Sequence, residues 1–177
     1  ILFIADAEED SVIEANYVVR PVFLCDGWGP KIDHVAPESG GAYHLTPTIV
    51  EENDFEKLIT PSHLIDEVKT KENFDKVNDA IGDILDVYLD RKPCFSEFQA
   101  DISWWLGQLL GMEQIMYYMY DRPEWLHNVL AFFRDGILKV HSEATKNGDW
   151  KTLSSANQCV PLAKELPEPA NVKAEMS

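Results

Sequence analysis

Positive charge is what this sequence has least of. Fifteen Lys and Arg face 31 Asp and Glu, a net charge of −16, and the four arginines (Arg20, Arg91, Arg122, Arg134) are scattered rather than clustered. Such a surface repels phosphate backbones and anionic headgroups, so neither nucleic acid nor membrane is an expected partner. Cysteine is scarce as well. Cys25, Cys94 and Cys159 are widely spaced with no C-x-x-C pair, which points to reduced thiols in a cytoplasmic protein. No His-x-Cys pair and no compact Cys/His cluster occurs, so no zinc site is expected from this chain. The five histidines (His34, His44, His63, His127, His141) read as structural or exposed. Long apolar runs are missing too. The greasiest stretch, 104–120, contains Gln108, Glu113 and Gln114 and falls short of the roughly 20 apolar residues that span a bilayer.

Enough apolar material remains for a core. Hydrophobic residues make up 45% of the 177, and 11% are aromatic, consistent with a single globular domain over 1–177. The apolar run 1–5 reads as a buried parallel strand and 21–24 as a second. Between them, 7–19 reads as a short helix with Val12, Ile13, Asn16 and Tyr17 on one side. Residues 25–61 form a Gly/Pro-rich insertion, a long loop or short hairpin of the kind that carries function on a rigid scaffold. Thr60-Pro61-Ser62 is a helix-start signal, and Ile65, Val68, Phe74, Val77, Ile81, Ile84, Leu85 and Tyr88 follow at helical spacing. They predict one long helix, or two split near Asn73, ended by Arg91-Lys92-Pro93.

A strand at 94–98 and an apolar helix at 103–120 come next, the latter with a Gly107-x-x-x-Gly111 pair suited to close helix packing. The last helix, 121–146, has the fullest set of signals. Asp121 and Glu124 form a capping-box-like pair, Pro123 sits in the first turn, and Gly148 stops the helix. Trp125, Val129, Phe133, Ile137 and Val140 make its apolar stripe, and 150–155 reads as a further strand. Strands alternating with helices predict a parallel α/β arrangement. A closed eight-stranded barrel uses about 250 residues, so the chain is expected to be an incomplete part of a (β/α)8 barrel. Its start without Met and its polar tail, 167–177, lead to the same expectation of ends cut from something longer.

The phrases GWGPKIDHV, TPTIVEENDFEKLITP and LLGMEQ running into DRPEWLHNVLAFFRDGILKV carry a further reading. Over 27–150 they resemble the uroporphyrinogen decarboxylase family, and SSANQCVPLAKELPEP resembles a subgroup of its large bacterial relatives. The resemblance implies a (β/α) barrel with its active site at the carboxyl ends of the strands. It implies a tetrapyrrole or corrinoid ligand and one of two chemistries. One is cofactor-free removal of carboxylates from tetrapyrrole acetate arms. The other is methyl transfer from a corrinoid to a thiol, with zinc. Departures from the pattern are specific. The family's N-terminal arginine motif has no counterpart, Arg20 stands where the acid should be, and Trp104 and Trp105 occupy the neighbourhood of its tyrosine.

Within that frame Asp26 is the candidate catalytic carboxylate, with Trp28 beside it; the plain alternative is an Asp in a Gly-rich turn bonding its own backbone. Gln99, Asp101 and Trp104 follow the 94–98 strand as candidate substrate contacts, or else Asp101 or Ser103 caps a helix and the tryptophans are core. Ser155 and Asn157 follow the last strand as substrate contacts or as an exposed polar loop. An incomplete barrel leaves strand edges and helix faces uncovered, so a homo-oligomer is expected. A truncated relative acting as an interaction module is the non-enzymatic alternative.

Overall fold

The computed structural model describes residues 16–32, 34–35 and 44–150. They form a mixed α/β structure, mostly helical, around one parallel strand pair. Strand β1 (Asn16–Val19) pairs in parallel with β4 (Asp86–Leu89), with Asn16 opposite Asp86 and Val19 opposite Leu89. Between them lie β2 (His34–Val35), β3 (His44–Leu45), the 3-10 helix Glu52–Lys57 and helix α1 (Glu67–Ile81). After β4 come the 3-10 helix Glu97–Ala100 and helices α2 (Ile102–Leu109), α3 (Met112–Asp121) and α4 (Pro123–Asn147).

Residues 16–19 are strand rather than the end of a helix, as the β-branched, aromatic Asn-Tyr-Val-Val favours. The expected strand at 21–24 is reduced to a single bridge between Phe23 and Ile65, flanked by the bonds of Leu24 N–H to Leu64 and Asp66 N–H to Val22. The insertion contains a hairpin, since β2 and β3 pair antiparallel. Helix α1 starts later than Thr60-Pro61-Ser62 suggests, because Asp66 is its cap and accepts from Lys69 N–H at 3.0 Å. It also stops earlier, at Gly82. Ile84 and Leu85 lie in the following turn and Tyr88 in β4, where the Val-Tyr-Leu run favours the strand.

No strand forms at 94–98. Pro93 withholds a ladder donor, the chain bends over 94–95, and Glu97–Ala100 turns as a 3-10 helix. The predicted 103–120 helix is two helices. Gly111, at φ +80°, breaks it, and the freed Leu109 carbonyl accepts from both Thr48 and Ile49 N–H at 2.9 Å. Gly111 thus marks an elbow rather than a packing groove. Helix α4 begins at Pro123 with Arg122 as the preceding residue and no side-chain cap, so Asp121 closes α3 instead of capping α4. Its other end matches expectation. Gly148 is left-handed at φ +74°, Gly148 N–H donates to Thr145 O, and Asp149 N–H donates to Ala144 O at 2.9 Å, the paired bonds of a Schellman stop.

The core centres on Trp28. Its ring lies 4.5 Å from Phe133, 5.0 Å from Phe95 and 5.8 Å from Phe132 between centroids. Val129, Phe133, Ile137 and Val140 of α4 are buried around it. Gly136 permits the approach, since a Cβ there would meet Trp28 Cζ3 at 2.7 Å. No helix among the described residues is long and apolar enough to cross a membrane.

Candidate functional site

In open parallel sheets, ligands bind beyond the carboxyl ends of the strands. Here that edge is built by two loops. After Val19 comes exposed Arg20, then Cys25 and Asp26; after Leu89 come Asp90, Arg91, Lys92 and Cys94. Asp90 is buried although charged. It accepts from Lys92 N–H at 3.1 Å and pairs with Lys92 Nζ at 3.2 Å, so the turn after β4 carries its own counter-ion. The Cys94 thiol is pushed up to about 12, first by burial and then by the charge of Asp26, with Cys25 adding to it. Asp90 N–H donates to Val19 O at 2.9 Å and Phe95 packs 5.0 Å from Trp28, so the two loops converge; Cys94 is a protonated thiol at neutral pH rather than a nucleophile.

A second constellation lies where the end of α4 meets the segment before α1. His63 Nε2 stands 3.0 Å from Asp149 Oδ2. Asp149 Oδ1 accepts from Arg91 Nε at 2.5 Å, and Arg91 clasps Glu67 with two further bonds at 2.7 and 2.9 Å. Burial alone would push the Asp149 carboxyl up, but hydrogen bonds from Arg91 and His63, with their charge, hold it below the usual carboxylate range. The guanidinium does the same for Glu67. His63 donates its backbone N–H to Glu143 at 2.8 Å, and Lys139 donates to the Pro61 carbonyl at 2.8 Å and pairs with Glu143 at 2.9 Å. With Asp149 ionised and accepting, His63 Nε2 is the donor of that bond, and Nδ1 is buried without a partner among the described residues. The His63 side chain is fully enclosed. Its pairing with aspartate therefore fixes structure.

The residues expected at the site divide. Asp26 is exposed on the converging loops. Trp28, expected as a substrate contact, lies at the centre of the core at 2% exposure, because α4 presents Gly136 to its ring. Asp101 caps α2, its carboxylate accepting from Ser103 N–H at 2.8 Å and from Ser103 Oγ at 2.6 Å, which holds its pKa down. Gln99 and Trp104 are exposed, and the Gln99 carbonyl accepts from the Trp105 indole at 2.7 Å. Ser155 and Asn157, and the strands expected at 1–5 and 150–155 apart from Trp150, lie outside the described residues. From the sequence alone Asp90 and Asp149 have no role, Arg91 reads only as part of a helix end, and His63 reads only as structural or exposed. For the turn after β4 the signal was available, since Asp-Arg-Lys-Pro directly follows a strand. For His63 and Asp149 none was, because 86 residues separate them.

Among the described residues no three His, Cys, Asp or Glu side chains gather as a metal site. No family model, curated protein or solved structure matches the chain. What the geometry defines is a mixed α/β unit with a parallel strand pair and a polar carboxyl edge.

Proposed function

We propose that this chain is part of a (β/α) barrel of the uroporphyrinogen decarboxylase superfamily, and that the loops after β1 and β4 belong to its tetrapyrrole-binding mouth. One observation carries the reading: the segments after two parallel strands meet, with Asp90 N–H donating to Val19 O at 2.9 Å and Phe95 packing 5.0 Å from Trp28. Barrel active sites are built from such loops. In the chemistry proposed, a pyrrole ring is protonated, the bond to the departing carboxylate breaks, and its electron pair flows into the ring as CO2 leaves; the exocyclic carbon then takes a proton from water and the proton added to the ring is released. In this reading exposed Asp26 accepts the pyrrole N–H groups and stabilises the cation, with exposed Gln99 and Trp104 as outer contacts. The mouth loops carry Arg20, Arg91 and Lys92, but Arg91 is committed to Glu67 and Asp149 and Lys92 pairs with Asp90. Of these three, exposed Arg20 is the one left to anchor a substrate carboxylate.

A second reading, corrinoid-linked methyl transfer, rests on the same family resemblance, with Cys25 and Cys94 as the free thiols on the mouth loops. The raised Cys94 thiol weighs against it, because the thiolate is the methyl acceptor and the zinc ligand. In either reading, self-association is proposed through the outer edges of β1 and β4, which among the described residues pair only with each other.

The test is anaerobic incubation with reduced uroporphyrinogen. The chain alone is expected to form no decarboxylated product above buffer, yet to bind the tetrapyrrole with quenching of tryptophan fluorescence. Asp26→Asn should weaken that binding about 10- to 100-fold, the usual weight of a charged hydrogen bond. Absence of binding, or binding indifferent to Asp26→Asn, would sink the proposal.

A further inference from the structure

Three of the chain's four methionines, Met112, Met116 and Met119, lie on helix α3. Steps of four and three put them on one helical face, and each is 62–65% exposed. A thioether is a soft, neutral sulfur donor of the kind that selects Cu(I), whereas Mg and Ca take oxygen ligands and zinc takes Cys, His and carboxylates. The surroundings favour a cation. Helix α3 contains no lysine or arginine, Glu113 beside the face is exposed, and the chain carries −16 overall. Spacing along the axis decides which sulfurs can meet. Met112 and Met119 stand about 10 Å apart, too far for one ion to hold both. Met116 lies between them, about 6 Å from the first and about 4.5 Å from the second, so either neighbour can close on an ion with it.

We propose that α3 carries a site for a soft monovalent cation, Cu(I), held by two thioethers at a time, with Met116 in common and Met112 or Met119 as the second ligand. Because both pairs use Met116, the helix holds one ion. The long, unbranched methionine side chain adapts its rotamers to the ion, and at exposed positions it does so without disturbing a packed core. Thiolate and imidazole sites release protons when they take a metal and weaken in acid. Thioethers have no proton to lose, so this site keeps its affinity as pH falls. The ion's remaining positions stay open to solvent and to other ligands, which suits an ion that is exchanged rather than kept. The site stands apart from the loops after β1 and β4, and it holds whether or not the decarboxylase reading does.

The experiment labels the methionine methyls of the full chain for NMR and titrates it with Ag(I), an air-stable stand-in for Cu(I). Cys25 and Cys94 are free thiols and take Ag(I) as well, so the titration runs past the amount the thiols bind, and the methyl signals report the thioethers. The signals of Met112, Met116 and Met119 are expected to move together, ahead of Met176, the fourth methionine. Met116→Leu should raise the Ag(I) needed for half the shift by at least about 10-fold, the scale of substitutions at metal sites. Met112→Leu and Met119→Leu each leave one pair and should cost less, whereas the two together should match Met116→Leu. Leucine keeps the volume and apolarity of methionine, and an unchanged thermal melt verifies the fold. Zn(II) should move none of the three signals. Four methyls responding at the same Ag(I) concentration would reduce the effect to general thioether affinity and overturn the proposal. So would undiminished binding in Met116→Leu, or an equal response to Zn(II).

Discussion

Replacing Trp28 by alanine is expected to destabilise the fold by about 3–5 kcal/mol, the range for removing a large buried aromatic, and thus by a sizeable part of a domain's total stability. The ring touches Phe95 from the turn after β4 and Phe132 and Phe133 from α4. One truncation therefore loosens the joint between the strand pair and the longest helix. Trp28→Phe should cost much less, because it keeps the aromatic contact and deletes an indole N–H that is buried without a partner. Gly136 gives the sharper test. Glycine to alanine within a helix ordinarily stabilises by up to about 1 kcal/mol. Here the new methyl would sit 2.7 and 2.8 Å from two Trp28 ring carbons and 3.3 Å from Pro61 Cδ, so Gly136→Ala should instead cost about 1–3 kcal/mol. In the Trp28→Ala background the same methyl enters the vacated space and should be neutral or stabilising. Urea midpoints for the two single variants and the double decide it; additive effects would show that the two residues are not in contact.

Asp149→Ala is expected to cost about 2–4 kcal/mol, because it strips His63 of its one ring partner and Arg91 of a buried carboxylate. Glu67→Ala, at the exposed end of the same chain of bonds, should cost less than about 1 kcal/mol. The ordering of the two separates a buried clasp from a surface ion pair. Asp149 also sets a pH dependence whose sign follows from its lowered pKa. Its contribution is fully present above the unfolded value of about 3.9 and is lost as pH falls through the lower folded value. Acid titration of stability should therefore be shallower below about pH 4 in Asp149→Asn than in the parent. Parallel acid profiles would show that Asp149 is not held ionised by Arg91 and His63.

What was legible in the sequence had a local cause. Helix α4 could be read because Val129, Phe133, Ile137 and Val140 repeat at one period and Gly148 ends it in a conformation that glycine adopts easily. The elbow at Gly111 was hidden, since it depends on Pro47, Thr48 and Ile49 closing over the Leu109 carbonyl from about 60 residues away. Residues 94–98 looked like a strand because Cys, Phe and Phe fit a sheet, but burial of Phe95 against Trp28 took the segment into the core. Trp28 was misjudged for the converse reason. Gly-Trp-Gly has the composition of a loop, and nothing local signals that a helix glycine more than 100 residues on makes room for its ring. Of the candidate site, Asp26 and the turn after β4 follow from strand ends, whereas the His63–Asp149 pair is purely a product of folding.

The register of the strand pair has a kinetic consequence. Asn16 meets Asp86, so pairing must close a loop of 70 residues (86 − 16), which costs about 1.7 kcal/mol more in chain entropy than closing a 10-residue one. Helices α2, α3 and α4 follow one another directly and contact each other, so they can assemble before that loop closes. In pulse-labelling hydrogen exchange during refolding, the amides of Pro123–Asn147 should gain protection ahead of those of Asn16–Val19 and Asp86–Leu89. The parallel pair, which carries the loops of the proposed mouth, would then be the last part of the chain to form, and the first exposed when folding stalls.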